Sequence, residues 1–205
     1  MQLNLLDKIS TDSEQRLILF GVSWQQYETL RLTLDNYPGL RMTYLEGTLE
    51  IMTPSPEHEM SKKTIARLVE RYADEMEITL HGLGSTTFRK EAKARGLEPD
   101  ECYCVGEVKE ISDIAIEVTI SSGGIDKLAV YQGLGVPEVW FWQGSKFSLY
   151  RLQEQGYEAI TNSEFLPELD LSLLARYVQP STQSQAVKDF IKAVLSQQQQ
   201  SSQNQ

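Results

Sequence analysis

Apolar residues recur along this chain with two periods, one near 3.6 residues and one of two, and the alternation between them predicts a mixed fold. After residues 1–20, which carry little pattern, Ser23 stands as an N-cap, and Trp24, Tyr27, Leu30 and Leu34 follow at helical spacing. Asn36-Tyr37-Pro38-Gly39 ends that helix. Over 41–52 two short β-prone runs flank Glu46-Gly47, the composition of a hairpin turn. Thr53-Pro54-Ser55-Pro56 is rigid and leads into a helix over 57–76, with Ile65, Leu68, Val69, Tyr72 and Met76 on its apolar face. Lys63, Arg67 and Arg71 line a second face beside Glu59 and Glu70, which reads as solvated and salt-bridged.

The second half is richer in period-two signal. Residues 77–80 and 85–89 are β-prone, and 90–97 reads as a polar loop. Pro99-Asp100 opens a strand over 101–105, a position where proline costs no ladder hydrogen bond. Residues 106–112 form a charged turn, and 113–120 is the clearest strand in the chain. A helix over 125–134 and a buried strand over 138–142 follow, with a hairpin partner at 146–152. Strand, helix, strand in that order predicts a crossover between parallel strands. Residues 182–195 can form an amphipathic helix, and the Gln/Ser-rich 197–205 reads as disordered. The chain divides accordingly into an extension over 1–20, one α/β domain over 21–180, and a C-terminal helix and tail over 181–205.

Composition narrows the function classes. The 205 residues carry a net charge of −10, which argues against coating nucleic acid by bulk electrostatics. An acidic balance is compatible with an enzyme that holds metal ions on carboxylates. No apolar run is long enough to span a membrane, and the start MQLNLLDKIS lacks signal-peptide character, so the expected location is the cytoplasm. Cys102 and Cys104, the only two cysteines, read as buried free thiols.

Candidate chemistry concentrates on strand 113–120. Its alternation places Asp113, Ala115, Glu117 and Thr119 on one face and Ile114, Ile116, Val118 and Ile120 on the other. Carboxylates on so apolar a strand are costly to bury unless paired or metal-bound. Asp100 adds a third acid at the mouth of a neighbouring strand. Such acids suit a hard cation like Mg2+, which activates water and offsets charge on a phosphate. Lys127, in the helix just after the strand, is near enough to point back. A glycosidase-like carboxylate pair is a weaker reading, because the sequence offers no aromatic platform near Asp113 and Glu117. His58, at a helix start, is either a cap or a ligand. His81 reads as structural, and Trp140 and Trp142 read as packing residues. Arg89, Lys90, Lys93 and Arg95 form a basic loop that reads chiefly as solvated.

Four runs together resemble the Uma2 family, known also as domain of unknown function 820 and assigned to the PD-(D/E)XK nucleases. They are Glu98-Pro99-Asp100-Glu101, Ser112-Asp113-Ile114-Ala115-Ile116-Glu117-Val118, Asp126-Lys127-Leu128-Ala129-Val130-Tyr131, and Gly135-Val136-Pro137-Glu138-Val139-Trp140. Glu46-Gly47, Met52-Thr53-Pro54-Ser55-Pro56 and His58 fit the same pattern, and the likeness spans about 22–152. The resemblance implies a restriction-endonuclease-like α/β core with a mixed central sheet flanked by helices. It implies a Mg2+- or Mn2+-dependent endonuclease acting on DNA, with Asp100, Glu117 and the Val118 carbonyl on the metal and Lys127 in support. Asp113, Glu46 and His58 (or Glu59) are further candidates for the site. A homodimer is also implied, and an edge-exposed Trp140–Trp142 strand would be its interface. Thr119 stands where the general nuclease pattern has Lys. The alternative is a catalytically inactive relative that binds nucleic acid or protein.

Overall fold

The computed structural model describes residues 14–37, 39–120 and 124–203, and places two sheets and five α-helices along them. The first sheet is antiparallel throughout. It is built from β1 (Gln15–Phe20), β2 (Arg41–Leu45), β3 (Thr48–Thr53), β5 (Phe88–Lys90) and β6 (Arg95–Leu97), in the order β1-β3-β2-β6-β5. The second contains β4 (Leu80–Gly82), β7 (Glu101–Val105), β8 (Ile114–Thr119), β9 (Glu138–Gln143), β10 (Lys146–Gln153) and β11 (Gly156–Ile160). Its order is β11-β10-β9-β8-β7-β4, and only β8 and β9 run parallel. The fold is therefore α/β with a mixed sheet, as expected.

The helices divide by face. α2 (Pro56–Glu75) and α5 (Gln183–Gln203) cover one side of the mixed sheet. Ile65, Leu68, Val69 and Tyr72 of α2 meet Ile114, Ile116 and Val118 there, with Phe190 and Ile191 of α5 closing the cluster. α3 (Lys127–Leu134) lies on the other side, where Val130, Tyr131 and Leu134 pack on Ala115 and Val139 and reach Phe88 and Leu97 of the first sheet. Thus α3 is held between the two sheets. The period-two alternation of β8 has decided this: Ile114, Ile116 and Val118 face the α2 side, and Ala115 faces the α3 side. α1 (Trp24–Leu34) closes the outer face of the first sheet, its Tyr27 ring stacked on Tyr44 at 4.8 Å, and is started by a reciprocal Ser23–Gln26 capping box. α4 (Leu171–Arg176) starts at Asp170, whose carboxylate accepts from the amides of Ser172 and Leu173.

Several expectations are altered by this arrangement. Residues 95–97, read as loop, form β6, because Gly96 lets the ring of Tyr27 lie directly against the strand. β1 falls inside the expected extension over 1–20, yet it pairs with β3 from Gln15 to Phe20; residues 1–13 are outside those described. α5 continues to Gln203, past the end expected near residue 195 and into the Gln/Ser-rich segment. Its inner face buries Phe190, Ile191 and Val194, which ties it to the domain core. Trp140 and Trp142 are packing residues, but β9 is interior to its sheet, so that strand offers no edge for a dimer. Among the described residues no helix is long and apolar enough to cross a membrane.

Candidate active site

Three pieces of local chemistry aim side chains at one spot between α2, α3 and the mixed sheet. Ser55 caps α2 by accepting from the His58 amide at 3.2 Å, with Pro56 preset at the first helical position. That fixes the first turn of α2 and turns the fully buried His58 ring toward β7. Pro99-Asp100 leads into β7, whose antiparallel register with β8 pairs Glu101 with Ile116. Asp100 lies one residue ahead of that last pair and accepts from the Val118 amide, which brings its carboxylate beside Glu117. Asp126 caps α3 by accepting from Ala129, so Lys127 is the first helical residue and points back along β8.

The contacts knit these residues together. Asp100 Oδ1 lies 2.8 Å from His58 Nε2, and Oδ2 accepts from the Val118 amide at 2.8 Å. Glu117, with no exposed surface, accepts from the Lys127 ammonium on one oxygen and the Tyr131 hydroxyl on the other. On the far side of His58, Nδ1 lies 3.3 Å from Glu14 Oε2. Arg16 pairs with Glu14 at 2.6 Å and approaches Glu50 at 3.7 Å. Glu50, only 2% exposed, accepts from the Ile125 amide at 3.1 Å, just ahead of α3.

Electrostatics follow from burial opposed by pairing. Burial drives the Glu117 carboxyl above its ordinary range, Lys127 pulls it back, and the neighbouring Asp100 charge pushes it up again, leaving it raised. Asp100 is also pushed up by burial, but His58, Lys127 and the Val118 amide together hold it below its ordinary value. For Lys127, burial favours the neutral amine, yet Glu117, Asp100 and Glu50 keep the ammonium and raise its pKa. His58 follows the same logic through Asp100 and Glu14.

A cleft of about 370 Å3 opens beside this cluster, lined by Arg16, Glu50, Lys127, Thr119, Phe141 and Tyr150 among others. A larger hollow, about 1050 Å3, lies between β10, β11 and α4. No acid lines it, whereas the smaller cleft is lined by the buried Glu50 and by Lys127 and Val118, the neighbours of Glu117 and Asp100.

Of the residues expected at the site, His58, Asp100, Glu117, Val118 and Lys127 meet. Asp113 and Glu46 do not. Asp113 shares the Glu117 face but lies four residues back, about 13 Å along the strand. There it accepts from the Val105 amide at 2.8 Å and from Lys109 at 2.7 Å, pinning the 106–112 turn. Glu46 occupies the exposed hairpin turn at φ 45° and pairs with Arg95 at 2.9 Å. Glu59 turns to Lys62 at 2.6 Å. Glu14, Arg16 and Glu50 were missed. Glu50 carries the signal that marked Glu117, an acid within an apolar β-run; Glu14 and Arg16 carry none, since only the β1–β3 pairing brings them near.

Among the described residues no group of three or more His, Cys, Asp or Glu side chains is disposed to hold a metal ion. Asp100 and Glu117 nevertheless supply hard oxygen donors, and a carboxylate offers about four lone-pair sites, of which the bonds to His58 and the Val118 amide take two on Asp100. The Asp100 charge also pushes the buried Glu117 carboxyl up, a repulsion that a cation between them would relieve. Asp100 and Glu117 are thus donors of the oxygen class that a hard cation takes, with no third acid or imidazole among the described residues disposed to join them.

The Uma2 family model, described as "Putative restriction endonuclease", matches residues 24–181. No curated protein matches the chain. A solved structure from Anabaena variabilis, titled a putative nuclease of the domain-of-unknown-function-820 group, is similar at 16% identity and a TM-score of 0.48, covering 67% of this chain and 91% of its own.

Proposed function

Because the chain belongs to the Uma2 family, we propose that it is a metal-dependent nuclease that hydrolyses DNA phosphodiester bonds at Asp100 and Glu117. The observation that carries this reading is the pair itself: two buried acids, one held by the amide that follows the other on β8, with the Lys127 ammonium on the second. Asp100, Glu117 and the Val118 carbonyl would hold Mg2+ or Mn2+. When bound, such an ion supplies a Lewis acid that lowers the pKa of water and offsets charge on the scissile phosphate.

The other roles belong to side chains of this chain. His58 fixes the Asp100 carboxylate by a 2.8 Å contact, and the Val118 amide fixes its second oxygen. Tyr131 does the same for Glu117. Lys127 has three N–H groups, and its bond to Glu117 uses one. The remaining two are available to a phosphate oxygen in the cleft, where the side chain is 20% exposed. This makes Lys127 the counterpart of the lysine that is absent at Thr119.

The rival reading, a nuclease fold kept as a binding module, draws on one observation. Glu117 is already neutralised by Lys127 within the protein, as a retired site would be. Plasmid nicking with Mg2+ or Mn2+, beside Asp100→Ala and Glu117→Ala, separates the two. Cleavage by the unaltered protein that EDTA and both substitutions abolish supports the nuclease. Absence of cleavage at high protein and low salt favours the module.

A further inference from the structure

We infer that the cleft beside Glu117 takes a nucleotide of single-stranded nucleic acid, its base stacked on the Tyr150 ring with Phe141 at its side, in preference to paired duplex. This rests on the nuclease reading of the same site and names its substrate class.

These rings, an aromatic surface near Glu117 that the sequence did not reveal, are brought there by sheet register. Parallel pairing of β8 with β9 sets Phe141 directly beside Glu117, on the strand next to it. Antiparallel pairing of β9 with β10 sets Ser148 beside Phe141 and Tyr150 beside Val139. Glu117, Phe141, Ser148 and Tyr150 therefore share one sheet face. The Phe141 and Tyr150 rings meet edge to face, with centroids 5.8 Å apart and planes at 81°. Both are half-buried and both line the cleft.

The two faces of these strands use aromatics differently. Trp140, Trp142 and Phe147 point to the α2 side and fill the core. Phe141 rests partly on the buried cluster around α3, but Tyr150, among the described residues, joins none of the three core clusters. Core packing thus accounts for the first set and leaves Tyr150 unexplained. Thr119, Gln143 and Ser148 surround the rings, and the exposed Gln143 amide carries both donor and acceptor for a base edge.

Size and charge point the same way. A volume of about 370 Å3 is near the lower end of the ~300–1,000 Å3 that small-molecule pockets offer. It has room for one nucleotide unit, which a paired strand would have to unstack to supply. With a net charge of −10, the protein gains little from long-range attraction to phosphates. Stacking is sequence-tolerant, and every base presents a π-face to it.

The test is fluorescence anisotropy with the full chain, in Ca2+ and again in EDTA. The probes are a labelled DNA single strand, an abasic single strand of equal length and charge, and the corresponding duplex. The single strand is expected to bind about tenfold more tightly than either of the others. Tyr150→Ala is expected to lower it to the abasic level, and Tyr150→Phe to preserve it. Equal or tighter duplex binding, equal abasic binding, no binding of the single strand, or no effect of Tyr150→Ala in a folded variant overturns the inference. The comparison of probes on the unaltered protein decides the matter even where Tyr150→Ala does not fold. Nicking of plasmid without a single-strand preference removes the inference and leaves the nuclease; a single-strand preference without cleavage under any metal does the reverse.

Discussion

Asp100 lies just ahead of β7, and its Oδ2 accepts from the amide of Val118, the residue that follows Glu117 on β8. One carboxylate is thus tied to the backbone that carries the other. The site is rigid by construction, and its chemistry should respond sharply to small changes in charge and shape.

Lys127→Met removes the cation and keeps the stem. Glu117 is then buried without its partner, and breaking a buried pair from one side costs about 3–5 kcal/mol. Chemical denaturation should show a loss of that order at neutral pH. Lys127→Met combined with Glu117→Leu should recover most of the stability while remaining inactive in the nicking assay.

Gly124→Ala should be harmful although the residue is exposed. Gly124 has φ 104°, and a Cβ there would run into Glu50 Oε2 and Arg16 Nη1. Displacing Glu50 loosens the Ile125 amide it accepts from, and with it the start of α3 that presents Lys127. Overpacking and backbone strain together cost about 1–3 kcal/mol. A thermal melt measures that cost, and nicking should fall with it.

Glu46→Asn and Asp113→Asn should part company with Glu117→Gln. Asn is well suited to the φ of 45° at position 46, so Glu46→Asn should leave both melting temperature and nicking close to the parent. Asp113→Asn loses the charge that holds Lys109 and weakens the bond from the Val105 amide. About 1–3 kcal/mol of stability should go, with nicking by the folded fraction retained.

Phe190→Ala tests whether α5 belongs to the domain. The ring is fully buried and meets Tyr72 and Tyr177, with centroids at 6.5 and 5.7 Å. Truncating such a residue costs about 3–5 kcal/mol. A melting temperature that is unchanged would mean that α5 is an accessory, and removal of residues 183–205 should then be tolerated.

Asp170→Ala carries a pH signature. Burial pushes the Asp170 carboxyl up, but the Leu173 amide, Gln197 and the Ser172 amide outweigh it and leave its pKa lowered in the folded chain. A lowered acid stabilises the fold above its unfolded pKa of about 3.9, and the stabilisation is lost as pH falls through the folded value. Replacing this N-cap should cost about 0.5–2 kcal/mol at neutral pH. The gap between the parent and Asp170→Ala should close on acidification, as followed by denaturant titration at several pH values.

Much of the site was legible because its signals are local. Glu117 is an acid in an apolar alternation, Asp100 follows a proline at a strand mouth, and Lys127 begins the next helix. Each sits within a few residues of the pattern that marks it. Asp113 passed the same filter, since alternation reports only a face and is blind to distance along a strand. Glu14 and Arg16 lay in a stretch without pattern, and they reach His58 and Glu50 only because β1 pairs with β3.

The sequence by itself determined the types of α1 to α3 and of β2, β3 and β7 to β10, the face of β8 that carries Glu117, the parallel step from β8 to β9, and the family resemblance, because helix and strand periods and capping residues act over a few positions. Tertiary structure alone decided the register of each pairing and which distant strands lie side by side. That choice put Phe141 next to Glu117, separated Asp113 and Glu46 from the site, and drew α5 into the core. The reason is physical. Local preferences limit each residue to a face, whereas strand order and helix docking are settled by burying the most apolar surface at once, a sum over the whole chain that no short window contains.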